Sequence, residues 1–148
     1  MKLPGPLKHF ILAFLIAVIV YAVFYTWIEH RRTRNGPWRV TFNSESGTPV
    51  VIINQPKLQI ENVTISFSDE KASTNVTQTT IFDPPRPVPF DVPFGKCIFI
   101  DTTFQPGNVT FNLFGHEIQL LPRVLTIDFK EYPWKSGTNI SLARRSSR

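Results

Sequence analysis

Side chains able to do acid–base, nucleophilic or metal chemistry are few. The chain holds three histidines and one cysteine. His9 and His30 flank a long apolar run and read as helix-flanking residues, which leaves His116 for the rest of the chain. Gly115-His116 predicts a two-residue type II′ turn between strands, with the imidazole at the surface. Glu117 beside it and Asp101 on a nearby strand are the conceivable partners. A zinc site needs three or four ligands at suitable spacing, and a catalytic triad needs groups that converge. Cys97 lies in the apolar run Cys97-Ile98-Phe99-Ile100, which hides a thiol and raises its pKa, so it reads as core. A phosphate-binding glycine loop and a G-x-S-x-G elbow are both missing from the sequence. Asp69-Glu70 reads as a solvated turn, because calcium wants more oxygen ligands at defined spacing. The expectation is a protein that is not an enzyme and takes no cofactor or metal. A small membrane-tethered metal-binding protein or enzyme is the alternative, and it requires His116, Asp101 and Cys97 to meet.

Three other features suit contact rather than chemistry. Pro84-Pro85-Arg86-Pro87 contains a P-x-x-P pattern and should hold polyproline II, which docks on aromatic grooves or simply joins two sheets. Trp134, in Tyr132-Pro133-Trp134-Lys135, is either an interface anchor or a plug for the end of a sandwich. Arg31, Arg32 and Arg34, with Arg144 and Arg145 further on, can meet anionic headgroups at about 1 kcal/mol each. Asn62, Asn75, Asn108 and Asn139 each begin an N-x-S/T pattern. The simpler reading is a turn asparagine followed by β-branched residues, and a signal-anchored glycoprotein is the other.

These groups must be positioned by two kinds of element. Residues 10–28 carry no formal charge. As a helix they span roughly 28 Å, close to the hydrocarbon thickness of a bilayer. Lys8 bounds one end; Tyr25, Trp27, Arg31, Arg32 and Arg34 bound the other, where interfacial aromatics and charges belong. Asn35-Gly36-Pro37 should stop the helix. A signal peptide cleaved after Val20-Tyr21-Ala22 is disfavoured, because the apolar run is longer than the roughly 7–15 residues of such segments. The arginine count alone would hold the rest of the chain in the cytoplasm, yet whole domains translocate largely regardless of charge, and the expectation is the extracytoplasmic side. Ala13 and Ala17 form a small-xxx-small pair that could bring two such helices together, so a homodimer is possible but unsupported.

From Trp38 on, the period changes from helical to alternating. Val40 and Phe42 alternate with Thr41 and Asn43; Val63, Ile65 and Phe67, then Val109, Phe111 and Leu113, then Leu125, Ile127 and Phe129 do the same. Residues 96–104 read as a strand whose apolar run is covered on both faces. Residues 83–93 are proline-rich and predict a connection or a blunted sheet edge. About eight short strands with regular turn signals predict an all-β fold, a small antiparallel β-sandwich, Greek-key or jelly-roll-like, preceded by one N-terminal transmembrane α-helix.

The organisation expected is therefore a flank at 1–9, a transmembrane helix at 10–28, a basic linker at 29–37, a β-sandwich at 38–142 and a basic, disordered tail at 143–148. Charge follows this division. Residues 1–39 hold six Lys/Arg and one acid, whereas 40–143 hold seven Lys/Arg and ten acids. A nucleic-acid binder would put its positive charge on the folded surface, so that class is set aside. The partners expected are the lipid bilayer and another membrane or envelope protein.

Overall fold

The computed structural model describes residues 4–146; Lys2, counted among the charges above, and the last two residues of the expected tail lie outside the described residues. The chain divides into two compact units, one up to Arg34 and one from Asn35 onward.

The first unit is α1, Gly5–Thr33, with a proline in its first turn and His30, Arg31 and Arg32 in its last. Proline suits the first turn, where its missing N–H would have no partner, and cations suit the C-terminal dipole. None of its residues is buried. It is long and apolar enough to cross a membrane, with a mean hydropathy of 2.5 over its most apolar stretch. The Thr26 hydroxyl within the apolar run donates to the Ala22 carbonyl of the same helix. The helix stops before Asn35-Gly36-Pro37, where Gly36 has a φ of +71°.

The second unit is β throughout. Its strands are β1 (Arg39–Asn43), β2 (Val50–Gln55), β3 (Ile60–Phe67), β4 (Thr77–Ile81), β5 (Phe90–Val92), β6 (Gly95–Asp101), β7 (Asn108–Leu113), β8 (His116–Leu120), β9 (Leu125–Ile127), β10 (Lys130–Tyr132) and β11 (Asn139–Leu142). They form one sheet in the order β11-β3-β2-β1-β4 and a second in the order β10-β9-β8-β7-β6-β5. In the first sheet β4 returns beside β1, so β3-β2-β1-β4 is a Greek key. The second sheet is a meander. One pair departs from the antiparallel expectation: β11 lies parallel to β3, with Asn139 opposite Thr64 and Leu142 opposite Phe67.

Alternation decides what is buried. Val40, Phe42, Val51, Ile53, Ile65 and Phe67 from the first sheet meet Cys97, Val109, Phe111, Leu113, Ile118 and Leu120 from the second. Phe42 meets Phe111 edge-to-face, centroids 6.0 Å apart. Each such side chain contributes about 1.5–3 kcal/mol over its exposed state. The two ends of the sandwich are closed by aromatics. At one, Trp38 packs on Trp134 at 5.2 Å. At the other, Phe94 stacks on Phe114 at 5.6 Å, and Phe114 meets Phe67 at 5.0 Å.

Several local expectations need correction. The β7–β8 loop is Phe114-Gly115, with φ of 52° and 82°, which makes it type I′ and places His116 inside β8. The strand read through Phe129 ends at Ile127; Asp128-Phe129, also at positive φ, is a second two-residue turn, leading to β10. Neither Asp-Phe nor Phe-Gly is a strong turn dipeptide, so local propensity marks neither turn. The strand read to Phe104 ends at Asp101. Arg144 and Arg145, expected in a disordered tail, are held by hydrogen bonds to Asp69, Glu70, Gly115 and Asp128.

Candidate functional site

β6 is where local sequence and packing disagree. Its apolar run should be covered on both faces, but Ile98 is 38% and Phe99 49% exposed. The cause is an irregularity in register between Cys97 and Phe99: Cys97 faces Phe111, Phe99 already faces Thr110, and Ile98 is the extra residue. Cys97 and Phe111 therefore point inward, while Phe99 joins Thr110 on the outer face. Thr110 is only 9% exposed although it stands on that outer face.

The edge beside this bulge is short. β5 has three residues and pairs with β6 only over Gly95 to Cys97. Among the described residues, Phe99–Asp101 pair with β7 alone and the bulged Ile98 pairs with neither neighbour, which leaves this stretch of β6 without a strand partner on its other side. Among the described residues, six large apolar side chains of the domain are exposed: Ile81, Val88, Ile98, Phe99, Phe104 and Phe129. All but Phe129 fall on β4, on β6 or in the two segments 82–89 and 102–107 that adjoin them. Gln105 Nε2 donates to Asp83 Oδ1 at 2.7 Å, tying the first of these segments to the second.

The proline-rich segment lies on this same flank. Pro84, Pro85, Arg86 and Pro87 are all exposed. The Arg86 guanidinium stacks over Phe90 at 4.7 Å from the ring centre, which holds the segment against β5. Trp134 is different. It is half-buried, packs on Trp38, and donates from Nε1 to the Leu121 carbonyl at 2.8 Å, so it plugs the sandwich end and is not an exposed anchor.

His116 is 6% exposed and belongs to a network rather than to a surface turn. Its Nδ1 lies 2.6 Å from Asp128 Oδ2 and its Nε2 3.1 Å from the Ala143 carbonyl. Asp128 Oδ1 accepts from the Glu117 backbone N–H at 3.0 Å and from Arg145 Nη1 at 3.4 Å. Burial pushes the Asp128 carboxyl up, but the His116 and Glu117 hydrogen bonds and the His116 and Arg145 charges outweigh it and hold the group below its ordinary range. The Asp128 partner was missed in the sequence because it stands twelve residues on, in a turn that looked like strand.

His116, Asp101 and Cys97 do not meet. Asp101 faces Asn108 and His116 faces Leu113, at opposite ends of β7 and about 17 Å apart along the strand. Asp101 instead accepts from the Thr103 N–H, which lowers its carboxyl pKa. Cys97 is fully buried, and burial pushes its thiol up to about 11. Among the described residues, no three His, Cys, Asp or Glu are grouped so as to hold a metal.

On α1, Tyr25 and Trp27 are exposed along the helix. Arg31 stacks over Trp27 at 4.6 Å, and Arg32 pairs with Glu29 at 3.5 Å. Lys8 and Arg34 are exposed near the two ends of the same helix. No family model matches the chain, and no curated protein or solved structure matches it either.

Proposed function

We propose that the protein is a membrane-anchored, non-enzymatic interaction module that docks an extended segment of another membrane protein along the free edge of β6. One observation carries this reading. The apolar side chains that the domain leaves in water are concentrated beside a strand edge whose backbone is only half paired. An incoming strand would gain main-chain hydrogen bonds from Ile98–Asp101 and apolar contact from Ile98 and Phe99, the two sources of affinity and specificity in strand addition. The proline-rich segment 84–87 borders the same site and would limit how far the added strand extends. Anchorage through α1 confines the module to a thin layer and raises its effective concentration for membrane neighbours. We place the domain on the extracytoplasmic side.

A photoreactive amino acid in place of Phe99, in the full chain in native membranes, tests this. Crosslinking to one defined membrane protein is expected, and it should be lost when Ile98→Asp is added. Equal, diffuse labelling with and without Ile98→Asp would refute the reading.

A second reading, a signal-anchored glycoprotein, is favoured by a separate observation. Asn62, Asn75 and Asn139 are exposed, and among the described residues none of their side-chain amide nitrogens donates a hydrogen bond. A mobility shift on glycosidase treatment, after expression in a glycosylating host, would support it; unchanged mobility would remove it.

A further inference from the structure

The basic residues of the β domain are not evenly used. Lys96 pairs with Asp91, Arg144 with Glu70 and Arg145 with Asp128. Arg86 and Lys130 stack on aromatic rings. Among the described residues, Arg39, Lys57, Lys71, Arg123 and Lys135 have neither an acidic nor an aromatic partner. All but Lys71 belong to one end of the sandwich, the end that Trp38 and Trp134 close. Lys71 lies at the other, beside Asp69 and Glu70.

Hydrogen bonds tie the loops of this end into one surface. Lys57 lies in a 3-10 turn, Pro56–Leu58. Ser136 Oγ donates to the Gln59 carbonyl and the Gly137 N–H to that of Glu61, so the Lys135 loop abuts this turn. Trp134 Nε1 donates to the Leu121 carbonyl, which brings in the Arg123 turn. Gln55 Nε2 donates to the carbonyls of Gly36, at 2.8 Å, and Pro37, at 3.0 Å. Gly36 and Pro37, at the start of the domain, are thus held against the Lys57 turn. Segments 55–59, 121–124 and 133–138 each carry one base and no acid. The acids of the same end are Glu61 on β3, Glu131 on β10, Asp101 at the end of β6 and Asp83 just after β4, all outside these three segments.

We propose that this end, through Lys57, Arg123 and Lys135, rests on the anionic headgroups of a bilayer. The inference depends on the reading that α1 is inserted in that bilayer. In sequence, Arg31, Arg32 and Arg34 directly precede the linker pinned by Gln55. Three unpaired cations, each worth roughly fivefold in binding to an anionic surface, give about a hundredfold together. The attraction weakens with salt, because the screening length is about 8 Å at physiological ionic strength. Arg144 and Arg145, by contrast, are already engaged with acids of the domain.

The test places the full chain in neutral phosphatidylcholine bilayers and in bilayers about one third phosphatidylglycerol. Amide hydrogen exchange is then read by segment. Segments 55–59, 121–124 and 133–138 should exchange more slowly in the anionic bilayer alone, with 68–75 unchanged. Lys57→Glu, Arg123→Glu and Lys135→Glu together, or raised salt on the unmodified chain, should abolish the difference. Identical exchange of these loops in both bilayers would overturn the proposal while leaving the anchor intact. A chain that floats with neither bilayer, with amides of 10–28 exchanging freely, would overturn the anchor and the proposal together.

Discussion

His116 Nδ1 stands 2.6 Å from Asp128 Oδ2, across the end of the β8–β9 hairpin, while the other ring nitrogen reaches the Ala143 carbonyl. Both ring nitrogens thus face oxygen acceptors. This pair ties the segment after β11 to the opposite sheet. Arg145 reinforces it by donating to the Gly115 carbonyl at 3.1 Å and to Asp128. β11 is an edge strand, so this clamp helps hold the one parallel pair of the fold in place.

Asp128→Asn should therefore destabilise the domain by about 2 kcal/mol, the usual range for a hydrogen bond to a charged group. The pH dependence has a definite sign. The folded Asp128 carboxyl lies below its ordinary value, so its contribution is present above about pH 4 and is lost as pH falls through the depressed folded value. Urea midpoints of the detergent-solubilised chain, measured from pH 7 down to pH 3, should fall more steeply for the native chain than for Asp128→Asn. Parallel curves would show that the pair contributes nothing to stability.

The Cys97 thiol should resist alkylation in the folded protein. It is fully buried, its Sγ donates to the Phe99 carbonyl at 3.5 Å, and burial pushes its pKa up to about 11. An unfolded thiol ionises first as pH rises above its ordinary value, so this group contributes stability that declines through alkaline pH toward 11. Maleimide labelling at pH 7 should proceed only as fast as the domain opens. A rate proportional to reagent and insensitive to stabilising salt would show an accessible thiol instead.

Alternation made most strands legible in the sequence. Val40 and Phe42, or Val109, Phe111 and Leu113, could point only one way if buried. The apolar run bounded by Lys8 and Arg31 likewise announced a long helix. What stayed hidden depended on partners far apart in sequence. The outward turn of Phe99 follows from one extra residue opposite β7, which no local pattern of 96–104 reveals. The pairing of His116 with Asp128 needs two tight turns with phenylalanine at positive φ, where propensity gives no signal. The basic loop end was hidden for a simpler reason: Lys57, Arg123 and Lys135 are isolated in sequence and meet only through the fold.

Gly107 should tolerate no side chain. Its φ is +61°, and a Cβ there would run into the Asp101 carbonyl, which belongs to the backbone and cannot swing away. Gly107→Ala should cost well over 1 kcal/mol, more than the strain of a positive φ alone. Gly47→Ala separates the two effects, since Gly47 also has positive φ, at +80°, but open space around it. Equal losses in thermal midpoint for the two variants would refute the steric account of Gly107.

Gly107 also provides the acceptor for Trp38, whose Nε1 donates to its carbonyl at 2.9 Å in a fully buried setting. Trp38→Phe removes that donor and strands the carbonyl, which costs about 1–3 kcal/mol before any loss of packing. Trp134→Phe removes a weaker, half-buried bond to Leu121. The two indoles also touch, with centroids 5.2 Å apart and planes tilted by 34°. A double-mutant cycle on denaturant midpoints should therefore show coupling of about 0.5–1.5 kcal/mol, the range for an aromatic pair. The loss at Trp38 should exceed that at Trp134, because Trp38 is buried entirely while Trp134 is only partly buried. Strict additivity would mean that the rings contribute only through separate burial. A larger loss at Trp134 would place the main closure of this end in the 133–138 loop and not in the start of β1.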